Sequence, residues 1–362
     1  VAEDLVRGFA REQYAPVREA FANNLARGVD VGAALCVTVD GETVVDLWGG
    51  FADAAGARPW ERDTIVNVYS TTKTVTALVA LWLADRGELD FEAPVARYWP
   101  EFAANGKAGV KVSHVMSHSA GLAAWHEPMR TEDLYDWEKA TALLAAQAPD
   151  WEPGTASGYH GLTQGYLIGE VVRRITGRSL GTVLREEIAG PLNADFHIGL
   201  PESEEARVAE LVAPPDGPPE LGGTELQIRV ATNPGPEVSE VNSRAWRAAE
   251  IPAAGGTGNA RSVARLHTIL ASGQVDAARR ALRPQVEGKD LVLGIPVRFG
   301  LGFALGDGLM SNPNTLYWGG YGGSLTIVDL DARTTYCYVM NKMSGTVGDL
   351  RGVELAMTAG VM

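Results

Sequence analysis

The sequence predicts an α/β protein of the α+β type: one antiparallel sheet flanked by helices, beside a mostly helical region. Strand-like segments occur near both ends of the chain, and each end also carries helical spacing. The middle holds helical segments punctuated by Pro and Gly. Strands at both ends flanked by helices pair most simply in one sheet. Residues 1–87 and 259–362 are therefore expected to form a discontinuous sheet domain, and residues 88–258 a mostly helical domain with long surface loops.

Taken in order, residues 3–28 repeat apolar positions at helical spacing and predict a helix. "GAALCVTVDGETVVDLWGGFAD" then gives two strands around a turn at Asp40-Gly41, an antiparallel hairpin. From Thr71 to Arg86 runs a helix apolar on all sides, hence buried between other elements, and Gly87 closes it. Helical segments at 135–148 and 162–176 follow. Residues 201–258 contain "VAPPDGPPELGG" and "TNPGPEV", too broken for regular elements, and predict surface loops that act as a lid, a pocket wall or only a solvated excursion. After a helix at 259–273, "LYWGGYGGSLTIVDLDARTTYCYVMNK" offers two more strands with a turn near Asp331, then a short C-terminal helix.

With 362 residues and 46% hydrophobic content the chain can fill a sizeable core. Its net charge of -14 argues against a surface that tracks phosphates, so no nucleic-acid partner is expected. Two cysteines, Cys36 and Cys337, cannot build a disulfide framework, and their strand-like surroundings predict buried, reduced thiols. The first residues mix acids and bases without the apolar core of a signal peptide. The longest apolar run, residues 74–84, is about half a bilayer crossing. A cytoplasmic protein without a membrane partner is expected, its oligomeric state open.

The chemistry starts at "VYSTTKTVTALVALWLADRGELD", where Lys73 stands three places after Ser70. On a helix those positions share a face, so hydroxyl and amine can meet. Ser70 is alternatively a helix cap. Against that, a capping box would put Glu or Gln at position 73, and a cation in the first turn opposes the helix dipole. Burial would lower the lysine pKa until it could take the serine proton. Tyr159, after a Pro-Gly turn in "WEPGTASGYHGLTQGYLIGEVV", could supply a second proton-handling group, though a loop Tyr alone is more often packing. "WGGYGGS" at 318–324, read as the opening of a strand, allows close backbone approach and an N–H aimed at an oxyanion; a bulge is the plainer alternative.

Ser70-x-x-Lys73, Tyr159 within "PGTASGYHG" and "WGGYGG" near the C-terminus, in that order, resemble the serine β-lactamase and penicillin-binding-protein superfamily, and within it the family VIII carboxylesterases, which are β-lactamase-like serine esterases. "NVYSTTKTVTA", "HVMSHSAGL", "PAAGGTGNARSVARL" and "RFGLGFAL" extend the likeness over nearly the whole chain. The resemblance implies a β-lactamase/transpeptidase-like fold with the site between its two parts. It implies Ser70 as acylated nucleophile and Lys73 with Tyr159 as a coupled base, the lysine cation holding the phenol's pKa down. The backbone N–H groups of Ser70 and Tyr321 would form the oxyanion hole. Trp318, Gly319 and Gly320, with Tyr69, Trp125 and His160, are the candidate substrate-binding residues; Trp125 could equally be a core tryptophan.

Many β-lactamases carry Tyr-x-Asn and Lys-Thr-Gly where this chain has Tyr159-His160-Gly161 and Trp318-Gly319-Gly320. An apolar ring thus replaces a cation suited to a substrate carboxylate, which favours neutral esters. His114 and His118 have zinc-helix spacing, but Val115 stands where the catalytic Glu belongs, so both are expected to be structural, near the pocket floor. Ser119 beside His118 is not flanked by glycines on both sides as a Gly-x-Ser-x-Gly nucleophile would be, and "GGTGNAR" lacks the ending of a phosphate loop. The expected function is cleavage of small carboxylic esters through an acyl-serine, without metal or organic cofactor. The alternatives are a β-lactamase, a D-amino-acid amidase or peptidase, or an acyltransferase on the same site, and, further off, a non-catalytic binding member of the fold.

Overall fold

The computed structural model describes residues 3–346 and 349–362. The chain opens with β1 (Val6–Ala10) and α1 (Ala15–Ala26), where a single helix over 3–28 was expected. Gly8, at φ +91°, brings the backbone so close to the next strand that a Cβ would lie 1.9 Å from the Asp46 carbonyl oxygen. The helix waits for Pro16, whose fixed φ suits a first helical turn. β2 (Gly32–Val39) and β3 (Glu42–Gly50) form the expected hairpin. Asp40 and Gly41 both take positive φ, which matches the twist of the strands they join.

After β4 (Val66–Asn67) comes α2 (Thr72–Asp85), buried on nearly every face and packed against helices from both halves of the chain. Then follow α3 (Val112–Met116), α4 (Trp137–Ala146), α5 (Thr163–Thr176), α6 (Leu180–Val183) and β5 (Phe196–His197). The stretch expected to be loops contains α7 (Glu225–Thr232), α8 (Val238–Val241) and α9 (Arg244–Ala248), with Val241, Trp246 and Ile251 buried beneath them. These helices are too short for a helical period to register in sequence, but side-chain caps at Thr224 and Ser243 start two of them.

β6 (Thr257–Gly258) bridges β4 and β5 in a small sheet. α10 (Ala260–Ala271), capped by Asn259, packs on the main sheet, and α11 (Ala277–Ala281) lies against α2. The C-terminal stretch gives β7 (Val286–Lys289), β8 (Pro296–Phe299), β9 (Ala304–Leu305), β10 (Thr315–Gly319), β11 (Leu325–Asp329), β12 (Thr334–Met340) and α12 (Arg351–Thr358). "WGGYGGS" therefore does not open a strand. Trp318 and Gly319 finish β10, and Gly320 N donates to Ser324 O at 2.8 Å across the turn into β11.

The main sheet runs β1-β3-β2-β12-β11-β10-β9-β8-β7, antiparallel throughout. The two ends of the chain meet inside it, where β2 pairs with β12. Cys36 and Cys337 face one another in that register as buried, free thiols. Among the described residues no helix is long and apolar enough to cross a membrane.

Candidate active site

Ser70 sits on a tight turn between β4 and α2. Tyr69 holds φ +45°, a left-handed conformation that costs a bulky residue about 1–3 kcal/mol and is kept only when its surroundings enforce it. Asn67 enforces it: its Oδ1 accepts from Tyr69 N at 2.9 Å, while its Nδ2 donates to Ala254 O at 3.1 Å. The turn is braced from the sheet by Ser324, whose Oγ donates to Val68 O at 2.9 Å and lies 2.9 Å from Thr71 Oγ1. No side chain caps either the turn or α2. Ser70 is not a cap; its hydroxyl points away, toward Lys73 and Tyr159.

Lys73 Nζ lies 2.9 Å from Ser70 Oγ and donates to the carbonyls of Gly161 at 2.7 Å and Ala253 at 3.0 Å. The side chain is 2% exposed and has no carboxylate partner among the described residues, so burial pushes its pKa well below the ordinary lysine value. Tyr159 Oη donates to Ser70 Oγ at 2.7 Å and accepts from Trp318 Nε1 at 3.2 Å. Burial pushes its pKa up to about 12, against the lowering effect of the Ser70 and Trp318 hydrogen bonds. The expected cation holding the phenol down is therefore not what the site provides, since burial drives both groups toward their neutral forms. Lys73 and Tyr159 both reach the serine oxygen, and Nζ lies over the phenol ring, 4.7 Å from its centre.

The other candidate substrate-binding residues divide. Trp318 packs on Tyr159 and Phe299, at 5.4 Å between ring centres in each case. Gly320 lies against the nucleophile's turn, where an added Cβ would stand 2.2 Å from Val68 O and 3.2 Å from Ser70 N. Tyr321 meets Tyr69 edge to face at 5.2 Å, next to Ser70, and the Tyr69 hydroxyl is buried without a hydrogen-bond partner among the described residues.

Trp125 and His160 do not reach the site surface. Trp125 is 1% exposed, donates its indole N–H to Ala140 O at 3.0 Å and packs edge-on against Tyr166. It is a core residue because its one polar atom is satisfied inside. His160 is buried; its Nε2 accepts from Leu122 N at 3.2 Å and its backbone N–H donates to His118 Nδ1 at 2.9 Å. His118 in turn packs on the Tyr159 ring at 4.9 Å, and burial holds it well below the usual histidine range. These rings support the tyrosine rather than contact a substrate. His114 Nδ1 accepts from Lys111 N at 3.1 Å. No group of three or more metal-ligating side chains comes together among the described residues.

Residues 17–358 match the family model described as Beta-lactamase. The chain belongs to the beta-lactamase family. Among curated members, the "Esterase/beta-lactamase LipL" of Mycobacterium tuberculosis is 36% identical over 93% of this chain and 83% of that protein. Among solved members, a family VIII carboxylesterase superposes with a TM-score of 0.93 at 42% identity, covering 98% of this chain and 99% of that one. A penicillin-binding-protein homologue from Caulobacter crescentus gives 0.91 at 38%, over 98% and 99% of the two chains. The likeness to family VIII carboxylesterases carried by the motifs thus extends through the whole of this beta-lactamase-family chain.

Proposed function

We propose that this protein hydrolyses small, neutral carboxylic esters through an acyl-enzyme on Ser70. The observation that carries the reading is that one oxygen, Ser70 Oγ, lies 2.9 Å from a buried amine and 2.7 Å from a phenol. Two carbonyls engage Lys73, and a neutral amine has only two N–H bonds. Its lone pair is then left for the Ser70 proton, a poised general base. As Oγ attacks, that proton moves to Lys73, and the C–Oγ bond forms. When the C–O bond to the alcohol breaks, Tyr159 gives its proton to the departing oxygen and is reprotonated from the lysine ammonium. Water then repeats the cycle on the acyl-enzyme, releasing the acid and restoring the Ser70 hydroxyl.

The developing oxyanion is assigned to the N–H groups of Ser70 and Tyr321. The close approach of Gly320 to the serine turn supports that assignment. Trp318, an aromatic N–H donor rather than a cation, supports an uncharged substrate, and the relatives named esterase/beta-lactamase and carboxylesterase support ester hydrolysis.

The test is hydrolysis of p-nitrophenyl butyrate by wild type and Ser70→Ala, with intact mass measured after a phosphonate probe. Activity and a single adduct that both vanish in the variant support the reading. Ester hydrolysis that survives the substitution overturns it.

A further inference from the structure

A proton donor 2.7 Å from the nucleophile is useful only while the segment carrying it is fixed. Tyr159 lies outside any helix or strand, and the segment is gripped from two sides. On the helical side His118 takes Gly158 N on its carbonyl at 2.9 Å and His160 N on its ring at 2.9 Å. On the sheet side stands Asp290, fully buried in the turn joining β7 to β8. Its Oδ2 accepts from Ser157 Oγ at 2.7 Å, and its Oδ1 accepts from Tyr159 N at 3.0 Å. Oδ1 also takes Val292 N at 2.9 Å and Leu293 N at 2.8 Å, which fixes the carboxylate within its own turn. Leu291 N adds a bond to Ser157 O at 2.9 Å.

No Lys or Arg pairs with Asp290 among the described residues; its buried carboxyl is satisfied by four hydrogen-bond donors, two from its own turn and two from the Ser157–Tyr159 segment. What needs both oxygens is the segment across from it. We propose that Asp290 is a positioning residue: it clamps the Ser157–Tyr159 segment so that the phenol stays within donating distance of Ser70 and of the departing alcohol. Its charge also acts to raise the Tyr159 pKa, which keeps the phenol a donor. This rests on the reading of Tyr159 as the acid for the leaving group.

The experiment compares kcat/KM, which reports acylation, on two esters of one acyl group: p-nitrophenyl butyrate, whose leaving group needs no proton, and ethyl butyrate, whose leaving group does. Wild type, Asp290→Ala, Asp290→Asn, Ser157→Ala and Tyr159→Phe are measured together. A misplacement of about 1 Å costs on the order of 100-fold, so Asp290→Ala should lose about that on the ethyl ester and far less on the nitrophenyl ester. Asp290→Asn keeps an oxygen facing the three N–H groups and should recover most of the loss. Ser157→Ala removes one neutral anchor and should lose about three- to tenfold on the ethyl ester alone.

Equal losses on both esters in Asp290→Ala mean general damage to the fold and overturn the proposal. Should Asp290→Ala fail to fold, a wild-type ester ratio in Ser157→Ala overturns it. Tyr159→Phe separates the two levels. If it discriminates between the esters while the Asp290 and Ser157 variants do not, only the clamp is wrong; if it does not discriminate, the role given to Tyr159 falls and the clamp with it.

Discussion

Gly320→Ala puts a methyl group where the sheet edge touches the serine turn. The new Cβ would stand 2.2 Å from Val68 O and 2.4 Å from Ser324 Oγ, whereas carbon atoms in real side chains essentially never come within 3.0 Å of such neighbours. Ser324 can rotate only by abandoning its bond to Val68 O, so the backbone itself must part by about 0.8 Å or more. That shift separates Tyr321 N from Ser70 N, the pair assigned to the oxyanion, and a displacement near 1 Å is expected to cut kcat by about 100-fold. Gly319→Ala is the matched control: its Cβ would meet Ser324 O at 3.0 Å and nothing else nearer than 3.9 Å, so a loss of only a few-fold is expected. The assay is p-nitrophenyl butyrate turnover by both variants, with thermal melts to confirm folding. Gly320→Ala within threefold of wild type, or Gly319→Ala as damaged as Gly320→Ala, would refute the proposed role of this contact.

The pH–rate profile should rise as Lys73 loses its proton at a value well below the ordinary lysine pKa, since only the neutral amine is a base, and should not fall again until pH approaches about 12, where Tyr159 ionises. A descending limb near neutrality would contradict both directions of shift. Trp318→Phe keeps the ring packing but removes the N–H to Tyr159, so kcat/KM should drop about two- to tenfold with little change in melting temperature. Lys73→Arg places a group that cannot give up its proton beside Ser70, and the burst of nitrophenol on mixing with p-nitrophenyl butyrate should disappear. Cys36 and Cys337 should resist thiol reagents in the native protein, because burial pushes both thiols up, and react fully once guanidinium unfolds it.

Lys73 was legible because a lysine in the first turn of an apolar helix is out of place, and Ser70 and Tyr159 because they stand with it in an ordered set of motifs, each ordinary alone. The hairpin at Asp40-Gly41 and helices α2, α5 and α10 were legible from periodicity and stop signals. Trp125 stayed open between pocket and core because a tryptophan between helices reads the same in either place; its burial and its bond to Ala140 O decide for the core. His160 follows the tyrosine in the motif, yet its ring is turned inward onto Leu122 N. The carbonyls of Gly161 and Ala253 that hold Lys73 carry no signature in sequence, since every residue has one. β1, β7, β8 and β9 were missed because a short strand declares itself only through its neighbour. Asp290 stands in none of the motifs, so its hold on the Ser157–Tyr159 segment shows only in the fold.

The pairing of β2 with β12 has a consequence for how the chain is made. The nucleophile and its base leave the ribosome well before β12, the strand that joins the β2–β3 hairpin to the rest of the sheet. Contacts so far apart in sequence are slow to form. Until β12 emerges, the largely apolar α2 has no finished sheet to lie beside, and it is then that the chain most needs shielding from aggregation. Ester cleavage should therefore switch on only after β12 has been released, which makes catalytic activity itself a reporter of sheet closure.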